Sequence, residues 1–174
     1  MANRSAEGKP KTLVVGLGND FRNDDGVGLA VLRMLGSRNI SGVQLVELRD
    51  DLTQLLDHLQ DVATAYIVDA VQSGSTPGTI HRIEAKGEYF SPAGLPRSTH
   101  GLSLRNLLEL ARLQGGLPKK LVIYGVEGER FDYGNTMTPA VNDAIPGVVE
   151  SICAELERDL TWRSGDSTRK RSPA

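Results

Sequence analysis

A chain of 174 residues and 18.8 kDa fits one ordinary domain and can bury a core without staples. Twenty basic against 22 acidic residues give a net charge of −2, which excludes the field that grips nucleic acid or an anionic membrane. The single cysteine, Cys153, excludes a disulfide framework and a Cys-based zinc finger, and it sits in an apolar helical pattern that reads as inert core.

Residues 1–11 are polar and carry Gly8 and Pro10, so they read as a flexible arm. TLVVGLGN opens an apolar, β-branched run that reads as a buried first strand. Val27, Val31, Met34 and Leu35 then repeat at helical spacing, with Gly36 as the stop. VQLVELR alternates as a second strand, and LTQLLDHL is a short amphipathic helix. ATAYIVDAV is almost continuously apolar, which predicts a central strand. SGSTPGT is a turn cluster, and TIHRIEA alternates as a short strand.

A polar connection over 86–100 follows, long enough to suggest a functional loop. Leu104, Leu107, Leu108 and Ala111 mark a further helix that Gly115 and Gly116 stop. KKLVIYGV reads as the last core strand. Thr138 and Pro139 read as the N-cap and first position of a C-terminal helix, which Pro146-Gly147 should kink or split. The basic stretch 163–174 has no apolar face and reads as a disordered tail, leaving 12–162 as the domain. Strands alternating with helices predict an α/β sandwich with a mainly parallel sheet.

No apolar run approaches a membrane span and the N-terminus lacks a signal-peptide core, so a soluble, cytoplasmic protein is expected. Nothing marks a homodimer seam, and a monomer is the expectation.

Three features stand out for chemistry. In GLGNDFRNDDGVG the adjacent carboxylates Asp24 and Asp25 fall where a helix begins. Asp24 or Asn23 can cap that helix, which accounts for one acid and not obviously for two. Phe21 stands where a dinucleotide fingerprint wants its third glycine, which argues against a nucleotide binder. Asp69 ends the apolar run YIVDA, at the strand end where open α/β sheets bind ligands; a buried carboxylate there is costly unless paired. His100 closes the long loop just before an amphipathic helix, whereas His58 and His81 read as structural or solvated. Asp25, Asp69 and His100 form a possible O,O,N metal set with open coordination positions, suited to zinc, nickel or manganese. Asp25 and Asp69 equally suit a general acid/base pair. No serine or cysteine nucleophile presents itself.

GLGNDFRNDDGVG, VDAVQSGSTPGTI, STHGLSL and the later LVIYGVEG and GNTMTPAVNDAI together resemble the hydrogenase maturation proteases over about residues 13–156. These are endopeptidases that trim the C-terminus of the large subunit of nickel–iron hydrogenases. The resemblance implies a three-layer sandwich: a twisted sheet of about five strands, helices on both faces, and one metal-binding cleft. It implies that Asp25, Asp69 and His100 bind the metal. It also implies action on the large-subunit precursor only after nickel is installed, with release of a short C-terminal peptide. The nickel would be held by the substrate, and zinc or cadmium could take the same place. Some relatives carry Glu at the position of Asp25 and an Asp-Gly-Gly-Thr stretch where this chain has RDDLTQLL, so Asp50 and Asp51 are given no role. A non-enzymatic nickel-sensing or chaperone module is the alternative; release of the C-terminal peptide separates the two.

Overall fold

The structure, a computed structural model, describes residues 12–49, 51–60, 62–85, 97–98 and 104–166. The expected N-terminal arm and most of the long loop lie outside these residues. In chain order the elements are β1 (Thr12–Leu17), a 3-10 turn (Asn23–Gly26), α1 (Val27–Gly36), β2 (Val43–Leu48), α2 (Gln54–Leu59), β3 (Thr64–Gln72) and β4 (Ile80–Ala85). They continue with β5 (Arg97–Ser98), α3 (Leu104–Leu113), β6 (Lys120–Glu127) and α4 (Pro139–Asp166).

The sheet order is β2-β1-β3-β6-β4, and the two-residue β5 adds to β3. The first four of these strands are parallel; β4 closes the β6 edge antiparallel. The five expected strands are therefore present, with β5 as an extra within the long loop. Period-2 alternation divides the core. Tyr66, Val68 and Ala70 of β3 and Val122, Tyr124 and Val126 of β6 pack under α1 and α4. Ala65 and Ile67, with Leu121 and Ile123, face α2 and α3. Both faces of β3 are covered, which is why its sequence reads as an unbroken apolar run. Among the described residues no helix is long and apolar enough to cross a membrane.

Three details depart from the sequence expectations. Met34 is 37% exposed, and the buried stripe of α1 runs through Leu29 and Leu32 as well as Val27, Val31 and Leu35. α4 is not split at Pro146-Gly147. Val141, Ala144 and Ile145 before the proline and Val148, Val149 and Ile152 after it all bury in one cluster, so tertiary packing overrides the local break. The same helix continues to Asp166, four residues past the expected domain boundary; residues 167–174 lie outside the described residues.

Direct backbone packing seats α1 on the strand ends. A Cβ at Gly28 would lie 2.5 Å from the Val68 carbonyl oxygen and would overlap the carbonyl of Leu17. Gly28→Ala is expected to destabilise the fold by about 3 kcal/mol or more, because backbone cannot yield as a side chain can. An unchanged urea midpoint would contradict this.

Candidate active site

The chain runs from β1 out to β2 and then returns to place β3 on the other side of β1. Such a reversal opens a crevice beyond the carboxyl ends of the strands. Here β1 pairs with β3 only as far as Gly16↔Val68. β6 follows the opposite edge of β3 up to Val71↔Glu127, so β5, which pairs Val71↔Ser98 and Gln72↔Arg97, must lie on the edge that β1 has left. Asp69 and Ala70 lie between these two ladders. Asp69 is thus at the mouth of the crevice, and it is 1% exposed.

Asp25 reaches the same region from the other wall. It sits in the 3-10 turn that leads into α1, and it is also 1% exposed. The turn packs against β3, and Gly18, at the exit of β1, lies so close that a Cβ there would overlap the Asp25 carbonyl. The structure therefore brings the backbone segments of Asp25 and Asp69 to one place. His100, the third expected member, lies outside the described residues. Among the described residues no group of three or more His, Cys, Asp or Glu side chains could hold a metal.

Asp24 and Asn23 are not helix caps. Neither the 3-10 turn nor α1 has a side-chain cap bond at its N-terminus. Asp24 instead turns toward the β6–α4 connection. Its Oδ2 accepts the backbone N–H groups of Glu129 and Arg130, each at 2.9 Å, and its Oδ1 accepts the Thr138 N–H at 2.6 Å. The Thr138 hydroxyl also donates to Asp24 Oδ2 at 3.1 Å, while the Thr138 carbonyl accepts the first bond of α4 from Asn142 N–H. Of the two adjacent acids, Asp24 is thus structural.

The surrounding loops are pinned by charge. Arg33 forks onto Asp20 at 2.9 and 2.7 Å and also reaches Glu47; Arg49 bridges the same two acids. The Arg33 hydrogen bonds hold the Asp20 carboxyl below the usual range. Glu127, at the end of β6, is 2% exposed and gathers the SGSTPGT turn. Its carboxylate accepts Ser73 N–H and Gly74 N–H at 2.7 and 2.9 Å and the Ser73 hydroxyl at 2.7 Å, with His81 Nε2 at 3.2 Å. Burial pushes this carboxyl up, but the bonds from Ser73, Gly74 and His81 prevail and hold it low. His81 thus has the structural role its strand pattern suggests. Asp51 accepts Thr53 N–H at 3.0 Å in the turn before α2, also a structural duty. The Cys153 thiol, half-buried against the core, is pushed up by burial and is no activated nucleophile.

Comparison with known proteins decides the family. The family model described as hydrogenase maturation protease matches residues 37–155, more than half of the chain. This chain belongs to the hydrogenase maturation protease family. The matched span contains Asp69 and His100 and begins after Asp25. The chain is similar to the hydrogenase 2 maturation protease of Escherichia coli (strain K12), with 32% identity over 84% of this chain and 90% of the relative. It is also similar to the hydrogenase expression/formation protein HoxM of Azotobacter vinelandii, with 30% identity over 92% and 80%. A solved structure of the hydrogenase maturating endopeptidase HybD from E. coli superposes with a TM-score of 0.75 at 28% identity, over 86% of this chain and 93% of that one. This maturation protease is accordingly a hydrolase, an endopeptidase.

Sequence reasoning missed two devices that hold loops at the strand ends: Glu127 and the bonds from Asn23 and Asp24 to the β6–α4 connection. An acid closing the apolar run LVIYGVE was the available signal for Glu127. For Asp24 no local signal exists, since its partners lie more than 100 residues away.

Proposed function

We propose that this endopeptidase removes the C-terminal extension of a nickel–iron hydrogenase large-subunit precursor once nickel has been inserted. The observation that carries the reading is that two buried acids, Asp25 in the turn packed on β3 and Asp69 in β3 itself, sit on segments that come together at the topological switch point of the sheet. Two carboxylates at 1% exposure in such a place are costly unless a cation, a proton or hydrogen bonds compensate them. β5 runs antiparallel to β3, back toward the level of Asp69, and Ser98 precedes His100 by two positions.

In this reading Asp25, Asp69 and His100 approach the open side of a nickel ion that the substrate's own thiolates hold. Oxygen and imidazole donors suit such a borderline cation, and three of them leave room for the substrate. The nickel orients the precursor and polarises the scissile carbonyl, and the carboxylates are placed to move protons during hydrolysis. Zinc or cadmium can occupy the same donors. Exposed Phe21 and Tyr133 offer apolar contact to a protein-sized substrate; their segments are joined by the Gly134 N–H bond to the Phe21 carbonyl.

The test is incubation of the purified protein with precursor large subunit, with and without inserted nickel, followed by mass measurement. The nickel-loaded precursor is expected to lose its C-terminal peptide, and the nickel-free one to stay intact. Equal cutting of both refutes nickel recognition. Tight binding without any cutting would favour a chaperone instead.

A further inference from the structure

Asn23 and Asp24, and the late stretch GNTMTPAVNDAI, are motif residues to which neither metal binding nor helix capping assigns a role, and the structure joins them. Besides the four bonds to the Asp24 carboxylate, the Asp24 N–H donates to the Arg130 carbonyl at 3.0 Å. Asn23 N–H donates to the Gly134 carbonyl at 3.0 Å, and its Nδ2 donates to the Asp132 carbonyl at 3.1 Å and to Asp132 Oδ1 at 3.2 Å. Asn23 Oδ1 accepts the Thr136 N–H at 3.2 Å. Arg22 adds its guanidinium to the Phe131 carbonyl, at 3.2 and 3.1 Å. Gly134 presses on Asn23 so closely that a Cβ there would overlap Asn23 Oδ1.

The 3-10 turn is too short to hold its own shape. It spans four residues, has no side-chain cap, and starts with Asn23 in the left-handed region at φ 50°. Such a conformation persists only where surrounding contacts over-determine it. Here the contacts come from segment 128–138, and the residue they present next in the turn is Asp25. Four donors reach the Asp24 carboxylate, three on Oδ2 and one on Oδ1, and all of them come from segment 128–138, so its oxygens are engaged in holding that segment.

We infer that Asn23 and Asp24 are positioning residues for the cleavage reaction: they clamp segment 128–138 to the 3-10 turn and thereby fix Asp25 at the crevice. The inference rests on the reading of Asp25 as a group of the cleavage site. It accounts for the pairing of two acids in the motif, one that holds and one that is held.

Asp24→Asn keeps the shape but turns an amide toward backbone N–H donors. It is expected to speed hydrogen exchange at the amides of Glu129, Arg130 and Thr138 by about tenfold or more. It should also lower kcat on nickel-loaded precursor by about 10²-fold, the cost of a small misplacement, with KM changed less than about threefold. Thr138→Val removes one donor to Asp24 and should give smaller changes of the same kind; it carries the test by the same criteria if Asp24→Asn fails to fold. Faster exchange with wild-type kcat overturns the inference alone, as does a loss of kcat with exchange unchanged. Full kcat in Asp25→Asn overturns the site reading and the inference with it.

Discussion

Asp25→Asn and Asp69→Asn are each expected to reduce processing of nickel-loaded precursor by on the order of 10³-fold while the protein still folds. Each substitution removes a negative charge and one acceptor with almost no change in volume. Neither side chain belongs to the apolar clusters that hold the sheet to its helices. If the carboxylates meet the substrate's nickel, an amide is a poor donor to it; if they move protons, an amide cannot. Both routes lead to the same loss. Circular dichroism and a thermal melt confirm folding, and the rate of C-terminal peptide release measures the effect. The isolated protein should bind nickel or zinc weakly, because three donors make an open site, and either substitution should weaken that binding further. A variant with full processing activity removes its residue from the mechanism.

Glu155→Ala is expected to destabilise the fold by about 3 kcal/mol. Glu155 is 3% exposed and accepts Arg82 at 2.7 and 3.0 Å and the Tyr124 hydroxyl at 2.5 Å, with Lys120 Nζ at 3.3 Å. Lys120 also joins Asp159, which accepts the Tyr66 hydroxyl at 2.8 Å. Removing the glutamate leaves the buried Tyr124 hydroxyl without its acceptor and takes one counter-charge each from Arg82 and Lys120, which keep Glu84 and Asp159. The network also sets a pH dependence. Burial alone would raise the Glu155 carboxyl, but Arg82, Tyr124 and Lys120 bring it down to about 2 from the ordinary 4.5. A depressed carboxyl contributes stability above about pH 4.5 that is lost as the pH falls toward about 2. At the other end, burial and the bond to Glu155 push Tyr124 up to about 12 from 10. Its contribution is complete below pH 10 and lost as the pH rises through about 12. Urea midpoints across pH should fall at both ends, and Glu155→Gln should flatten the acid limb. An acid limb unchanged in Glu155→Gln contradicts the assignment.

The elements were legible in the chain because their signals are local. Continuous apolarity marked β3 as central, and helical spacing followed by Gly115-Gly116 delimited α3. Asp69 drew attention for a related reason, as a carboxylate ending an apolar strand, and the structure buries it in β3; Glu127, which ends β6 in the same way, holds a turn instead. The resemblance of ordered motifs supplied the family, which the comparisons bear out.

Tertiary structure decided what depends on distant partners. Whether Asp24 caps its own turn or serves another segment could not be read locally, because a carboxylate at a helix start has ready access to the turn's own N–H groups. Donors from Glu129, Arg130 and Thr138 outcompete them by arriving together on one loop. α4 crosses Pro146 because buried side chains on both sides outweigh one missing backbone bond. The place of β5 on the edge that β1 leaves follows from strand order, which no local pattern encodes. Sequence by itself determined which residues could do chemistry. The fold determined that Asp24, of the two adjacent acids, is the one bonded to segment 128–138.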